Sequence, residues 1–248
     1  MTNLNAITLS NTHELTLVNG TIVLNADNSF TTHFSVEDNS ELTVVLLHQA
    51  SQDITMNATF DLGKNCALTF ALVSLVPFSY DGNICFNFNG DDSSINVQSG
   101  LLGNATKKLA MTINHLTNRC VSKMDHYGLI TGHDAFTMEA SGVVKQYAKD
   151  NDCRQALRCA TFTDSKAITL KPMLYIDDYD CQAAQACTIG QISPRQMYYL
   201  QSKGLSRKAI MALIAKGYMQ PVVDCVTDEN VHNYLSELMA SMEENYVR

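Results

Sequence analysis

One pattern constrains this chain more than any other. From Ala6 to about Asp180, short runs of alternating apolar and polar residues follow one another, separated by Asn, Asp, Gly and Ser. Ala6–Leu9, Leu15–Val18, Thr21–Leu24, Phe30–Val36 and Leu42–Leu47 begin the series. Ala67–Val73, Ile95–Val97, Leu109–Ile113, Phe136–Met138 and Ala167–Ile176 continue it. Alternation bounded by turn residues is the signature of half-buried β-strands. No helix-period segment interrupts it over the first 140 residues, which argues against an interleaved α/β fold. Sandwich, barrel and solenoid remain. ELTVVLL from Glu41, ALTFALV from Ala67 and LAMTINH from Leu109 share a polar start and an apolar centre. Their uneven spacing fits solenoid coils with variable loops, which puts the β-helix slightly ahead on pattern alone.

The period changes after Ile192. Ser193-Pro194-Arg195-Gln196 reads as a capping box, with serine as cap and proline at the first helical position. A first helix over Pro194–Lys203 stops at Gly204. A second starts behind Ser206 and carries an apolar stripe of Ile210, Leu213 and Ile214. It is expected to end at Gly217 and Pro221. A third covers Asp228–Tyr246, with Val231, Tyr234, Leu235, Leu238, Met239 and Met242 on one face. The expected division is a β-rich domain over 1–191 and a helical one over 192–248.

Composition sets the outer limits. With 248 residues, 46% hydrophobic and 17% charged, the chain can bury a substantial core and is not of disordered type. A net charge of −8 gives no nucleic-acid signature. No apolar run approaches a membrane span and the N-terminus lacks a signal-peptide pattern, so a cytoplasmic protein is expected. Eight scattered cysteines without a C-x-x-C are expected to be reduced and mostly buried. His115, His126 and His133 lack metal-ligand spacing and read as solvated loop histidines. No phosphate loop and no Ser-His-Asp order is present.

Two features are chemically suggestive. Cys181 and Cys187 are an even number of residues apart, so an extended strand places both thiols on one side, where they could converge on a soft metal. The plain alternative is that both fill core space. Charge is also uneven: residues 194–220 hold Arg195, Lys203, Arg207, Lys208 and Lys216 and no acid. Residues 224–244 hold six acids and no base. Either the last helix pairs with the basic hairpin, or the basic face docks a partner.

TDSKAITLKPMLYIDDYDCQAAQACTIGQIS (163–193) and MYYLQSKGLSRKAIMALIAKGY (197–218) resemble the C-terminal core of the SufB/SufD family, scaffold subunits of the SUF iron–sulfur cluster assembly system. The resemblance is specific from about Ala156 to Pro221, and Cys187-Thr188-Ile189-Gly190 favours the SufD branch. It implies a right-handed parallel β-helix with a small C-terminal helical domain, without the N-terminal helical domain such chains often carry. It implies a non-catalytic subunit that contributes to a transient iron–sulfur cluster at a subunit interface. A SufB-like chain would meet the β-helix, and a SufC-type ATPase would dock on the C-terminal helices. Arg195, Tyr199, Lys203, Arg207, Lys208, Leu213 and Ile214 are the expected docking residues. Cys181, near the family's Cys/His segment, is the expected cluster ligand. Gln185 stands where SufD-like chains usually carry histidine, and a glutamine amide is a poor ligand for iron. The alternatives are a homodimeric scaffold and a β-helix enzyme with Cys181 as nucleophile.

Overall fold

The computed structural model describes residues 6–9, 13–162 and 167–245. Residues 163–166 and Tyr246, the expected end of the last helix, lie outside them, as does the side chain of Met242. Fifteen strands come first: β1 (Ala6–Thr8), β2 (His13–Leu17), β3 (Gly20–Ala26), β4 (Phe30–Val36), β5 (Glu41–His48), β6 (Ile54–Leu62), β7 (Ala67–Ser74) and β8 (Tyr80–Phe88). Then come β9 (Ser94–Gly103), β10 (Lys107–His115), β11 (Val121–Ile130), β12 (Phe136–Val144), β13 (Asn151–Thr161), β14 (Ile168–Ile176) and β15 (Cys181–Gln191). Three helices follow: α1 (Pro194–Ser202), α2 (Arg207–Asp224) and α3 (Glu229–Asn245). Strands end at Gln191 and helices begin at Pro194, where the sequence changes period.

Odd-numbered strands form one sheet, in the order β1-β3-β5-β7-β9-β11-β13-β15, and even-numbered strands the other. Every pairing is parallel. The chain therefore alternates between two sheets while advancing by one strand in each, which is a parallel β-solenoid. One corner recurs in each coil. Asn39, Asn65, Asp92, Arg119 and Asp150 sit there with φ between 54° and 63°. Asn and Asp tolerate this left-handed conformation better than other non-glycine residues. Each donates its amide to the next coil, as Asn39 does to the Lys64 carbonyl and Asn65 to the Asp91 carbonyl.

Inside, alternation fills the lumen with apolar side chains in register. Phe34, Phe60 and Phe86 stack as a ladder, with centroids 4.5 and 5.1 Å apart. Burying one such ring is worth about 2–3 kcal/mol. Three histidines enter the lumen with hydrogen-bond partners on neighbouring coils. His48 meets Ser74 at 2.8 Å, His126 meets Ser99 at 2.7 Å, and His115 meets Asn151 at 3.1 Å and Ser122 at 2.8 Å. Burial pushes His48 down to about 3 and His126 to about 4, so both rings are neutral in the folded state. His115 and His126 are thus lumen residues rather than the solvated ones expected from sequence; of the three, His133 alone is exposed.

The helices do not stand apart from the solenoid. A second apolar cluster joins Val45, Leu47, Ala71, Val73, Leu102 and Leu129, on the outer face of the eight-stranded sheet, to Met219, Val222 and Val223 of α2 and Val231, Leu235 and Met239 of α3. That burial explains a departure from expectation: α2 does not stop at Gly217 or Pro221 but continues to Asp224. The contacts made by Met219, Val222 and Val223 outweigh the local cost of both breakers.

Candidate functional site

The accessible features of the molecule gather at the last coil and the first helix pair. β14 and β15 are terminal strands of their sheets, each paired on one side and open on the other. Among the described residues, no further strand covers the end of the lumen they close. Inward-facing Ile168, Leu170, Leu174 and Ile176 are half-buried, and β15 is exposed from Gln182 through Ile189.

Cys181, Gln185 and Cys187 lie on this open coil. In-register pairing sets Cys181 beside Asn151, Gln185 beside Gln155 and Cys187 beside Leu157. All three partners face the lumen, so Cys181, Gln185 and Cys187 share one face, as their even spacing requires. They do not converge. At roughly 3.3 Å per residue, Cys181 stands about 13 Å from Gln185 and about 20 Å from Cys187. Cys187 is exposed. The Cys181 thiol is half-buried against Val144, Ala148 and Cys153, and donates to the Asp178 carbonyl at 3.3 Å. Burial, then the nearby Asp178 and Asp180 carboxylates, push its pKa up. An activated nucleophile needs the opposite shift, which weighs against the enzyme alternative. Gln155 donates to the Met173 carbonyl at 2.8 Å, satisfying a backbone group, and contacts Gln185 Oε1 at 3.4 Å. Among the described residues, no three His, Cys, Asp or Glu side chains are placed to hold a metal ion together.

The helix pair makes a cleft of about 690 Å³ between α1 and α2, lined by Ile192, Arg195, Tyr199, Leu200, Ile214 and Tyr218 among others. Its architecture starts with the cap. Ser193 Oγ accepts from Gln196 N at 3.2 Å while Gln196 Oε1 accepts from Ser193 N at 3.0 Å, which fixes the start of α1. Gly204, at φ +89°, turns the chain into α2, whose cap is Ser206. The cleft thereby unites three of the seven docking residues expected from sequence: Arg195, Tyr199 and Ile214. Lys203 stacks over the Tyr199 ring at 5.5 Å and so borders it. Arg207 and Lys208 are exposed on the first turn of α2, outside the lining. Leu213, placed in the apolar stripe by sequence, is 59% exposed. Sequence reasoning missed Ile192, Leu200 and Tyr218, whose role follows from how α1 folds back on α2. Among the described residues, no ion pair joins the basic residues of α1 and α2 to acids of α3. The two helices meet through apolar side chains instead.

The molecule is therefore a parallel β-solenoid with an open last coil and a helical platform. Residues 2–218 match the family model described as SUF system FeS cluster assembly, SufBD core domain, and the chain belongs to that family. The family consists of assembly scaffold proteins rather than catalysts. Among curated proteins, the iron–sulfur cluster assembly protein SufD of Bacillus subtilis is 24% identical over 133 residues. That alignment covers 54% of this chain and 30% of the relative, so the chain matches less than a third of that protein's length. No helix of the described residues is long and apolar enough to cross a membrane.

Proposed function

We propose that this chain is a SufD-like scaffold subunit of an iron–sulfur cluster assembly complex. The observation that carries the reading is the uncapped last coil. Two open strand edges and a half-exposed apolar lumen form a surface built for strand addition by another chain. A SufB-like subunit is the proposed occupant; a second copy of this chain would use the same edges when it is alone. Cys181, at the rim of that surface, is the proposed thiolate toward a transient cluster, which is the cargo of the system. Without two further ligands nearby on its own chain, it would share the cluster with groups from the facing subunit. Gln185 then serves the Gln155 hydrogen bond rather than ligation.

The platform of α1 and α2 is the proposed dock for a SufC-type ATPase. An apolar cleft bordered by Arg195 and Lys203, with Arg207 and Lys208 exposed on the same helix pair, suits a partner element with an apolar ridge and acidic flanks. Co-expression with SufB-like and SufC-type chains, followed by anaerobic purification and iron and sulfide analysis, tests the whole reading. Cys181→Ser is expected to lower iron and sulfide loading at least several-fold while both partners still co-purify. Loading at the parent level would remove Cys181 from the site. Reversal of Arg207 and Lys208 to glutamate is expected to weaken ATPase binding at least tenfold without loss of fold. Unchanged binding would place the dock elsewhere.

A further inference from the structure

Helix α2 runs through both Gly217 and Pro221, the residues that by sequence should stop it. Proline has no amide hydrogen, so the bond that residue 221 would donate to the Gly217 carbonyl cannot form, and its ring crowds that same carbonyl. Gly217 is exposed, and a methyl group added to it would meet nothing within 4 Å. No close packing therefore explains a glycine there, although it costs about 1 kcal/mol of helix stability relative to alanine. One turn, 217–221, combines both weaknesses.

The two sides of that turn have different loyalties. Beyond Gly217, Met219 and Val222 are seated over Gly100 of β9, where an added Cβ would come within 2.7 Å of the Met219 sulfur. With Val223 they lock this half of the helix onto the eight-stranded sheet. Before it, Ile210 and Met211 pack with Met197 of α1. The solenoid offers that group Phe162 and Ile192, both partly exposed, while contact with the sheet face comes from small Ala215 and partly buried Ile214.

We propose that α2 hinges at Gly217, whose carbonyl Pro221 leaves without a helical donor, so that α1 and the first half of α2 swing as one body against the solenoid. Such a swing carries Arg195, Tyr199 and Ile214 but leaves Tyr218 nearly in place, so it changes the width of the cleft. It lifts Ala215 and Ile214 from the sheet face but leaves Met219, Val222 and Val223 on it. Force applied to the helix platform then moves the platform first. The proposal depends on no particular partner.

The test is a distance distribution between two spin labels on the full chain, attached by non-cysteine chemistry because eight native thiols are present. One label replaces exposed Tyr198 on α1 and the other exposed Thr55 on β6. A control pair at Thr55 and Thr169 lies wholly within the seven-stranded sheet. The expected result is a Tyr198 distribution at least twice as wide as the control, narrowing to the control width in the Gly217→Ala/Pro221→Ala variant. Gly217→Ala alone, which adds a methyl in open space, is expected to narrow it in part and guards against a folding defect in the double variant. A distribution already as narrow as the control overturns the hinge. So does one that stays wide when both residues are alanine.

Discussion

The two sheets of the solenoid share a lumen, a register and a corner, yet their outer faces obey different rules. Strands of the seven-stranded sheet are buried at every second residue only, as in the β6 sequence ITMNATFDL. Their outer residues include Asn, Asp and His tied sideways to one another. Asn114 donates to Asn87 at 2.7 Å, Asn87 to Asp61 at 2.6 Å, and His33 meets Asp61 at 2.8 Å. Strands of the eight-stranded sheet start in the same way and then become buried on both sides, as in β5, ELTVVLLH. The helices cover that second half. One fold thus carries a finished surface on one side and a mating surface on the other, and the difference resides in alternate residues of the second half of each odd strand.

Deleting residues 192–248 should have the largest effect, because it uncovers Val45, Leu47, Ala71, Val73, Leu102 and Leu129 together. The expected product keeps its β signal by circular dichroism but binds a hydrophobic dye and self-associates in sedimentation. A monomeric, dye-silent fragment would show that the covered face needs no cover. Next comes a matched pair of substitutions. Ala71→Asp buries a charge beneath α2 and is expected to cost about 4 kcal/mol or more in denaturant unfolding. Thr112→Asp, on the outer face of the other sheet, is expected to stay within about 0.5 kcal/mol. Equal costs would abolish the distinction between the faces.

Acid separates lumen from surface. His48, His115 and His126 are held below their ordinary value of 6.5 chiefly by burial. The unfolded chain takes up protons below pH 6.5 that these rings refuse, so stability is full above that pH. It should fall steadily as pH drops toward 4 and then 3, by about 3 kcal/mol for His126 alone. His33, on the outer face, is shifted up, mainly through its hydrogen bond to Asp61. Its contribution has the opposite sign: present below pH 6.5 and lost as pH rises through its folded value. With His33 40% exposed, it should be worth less than about 0.5 kcal/mol. Histidine titrations followed by NMR should show His48 and His126 neutral at pH 6, His115 titrating below 6.5 and His33 above it; a common pKa near 6.5 would refute the assignment.

These contrasts also explain what the sequence disclosed. Ile54, Met56, Ala58, Phe60 and Leu62 alternate as plainly as the strands picked out by sequence, and β6 was legible in principle. Strand β11 was not. It places Ser122 and His126 in the lumen and Tyr127 and Leu129 outside, because its outer face meets the helices. Periodicity presumes one wet face, and the doubly covered half of the sheet has none. The capping box of α1 and the stop at Gly204 were local chemistry and correctly read. The persistence of α2 past Gly217 and Pro221 was tertiary and could not be. At the open end, shared sidedness of Cys181, Gln185 and Cys187 followed from spacing alone. Their distance from one another needed confirmation that the strand stays straight from Cys181 to Gln191. The choice of solenoid over sandwich rested on family resemblance, since alternation is common to both.

The repeated corner has a kinetic meaning. From β4 onward, residues 26 to 32 positions apart become neighbours at each coil, as Asn39 and Asn65, Asp92 and Arg119, and Asn118 and Lys149 do. The loop that must close is therefore nearly constant along the chain, and the entropic cost of closing it hardly grows with length. Once one pair of coils has formed, each further coil adds to an existing template, as in a one-dimensional zipper. The Asn and Asp residues that accept the left-handed turn act as its teeth. A zipper of this kind frays from its ends, and one of them is the coil of β14 and β15, whose outer edges lie open for pairing.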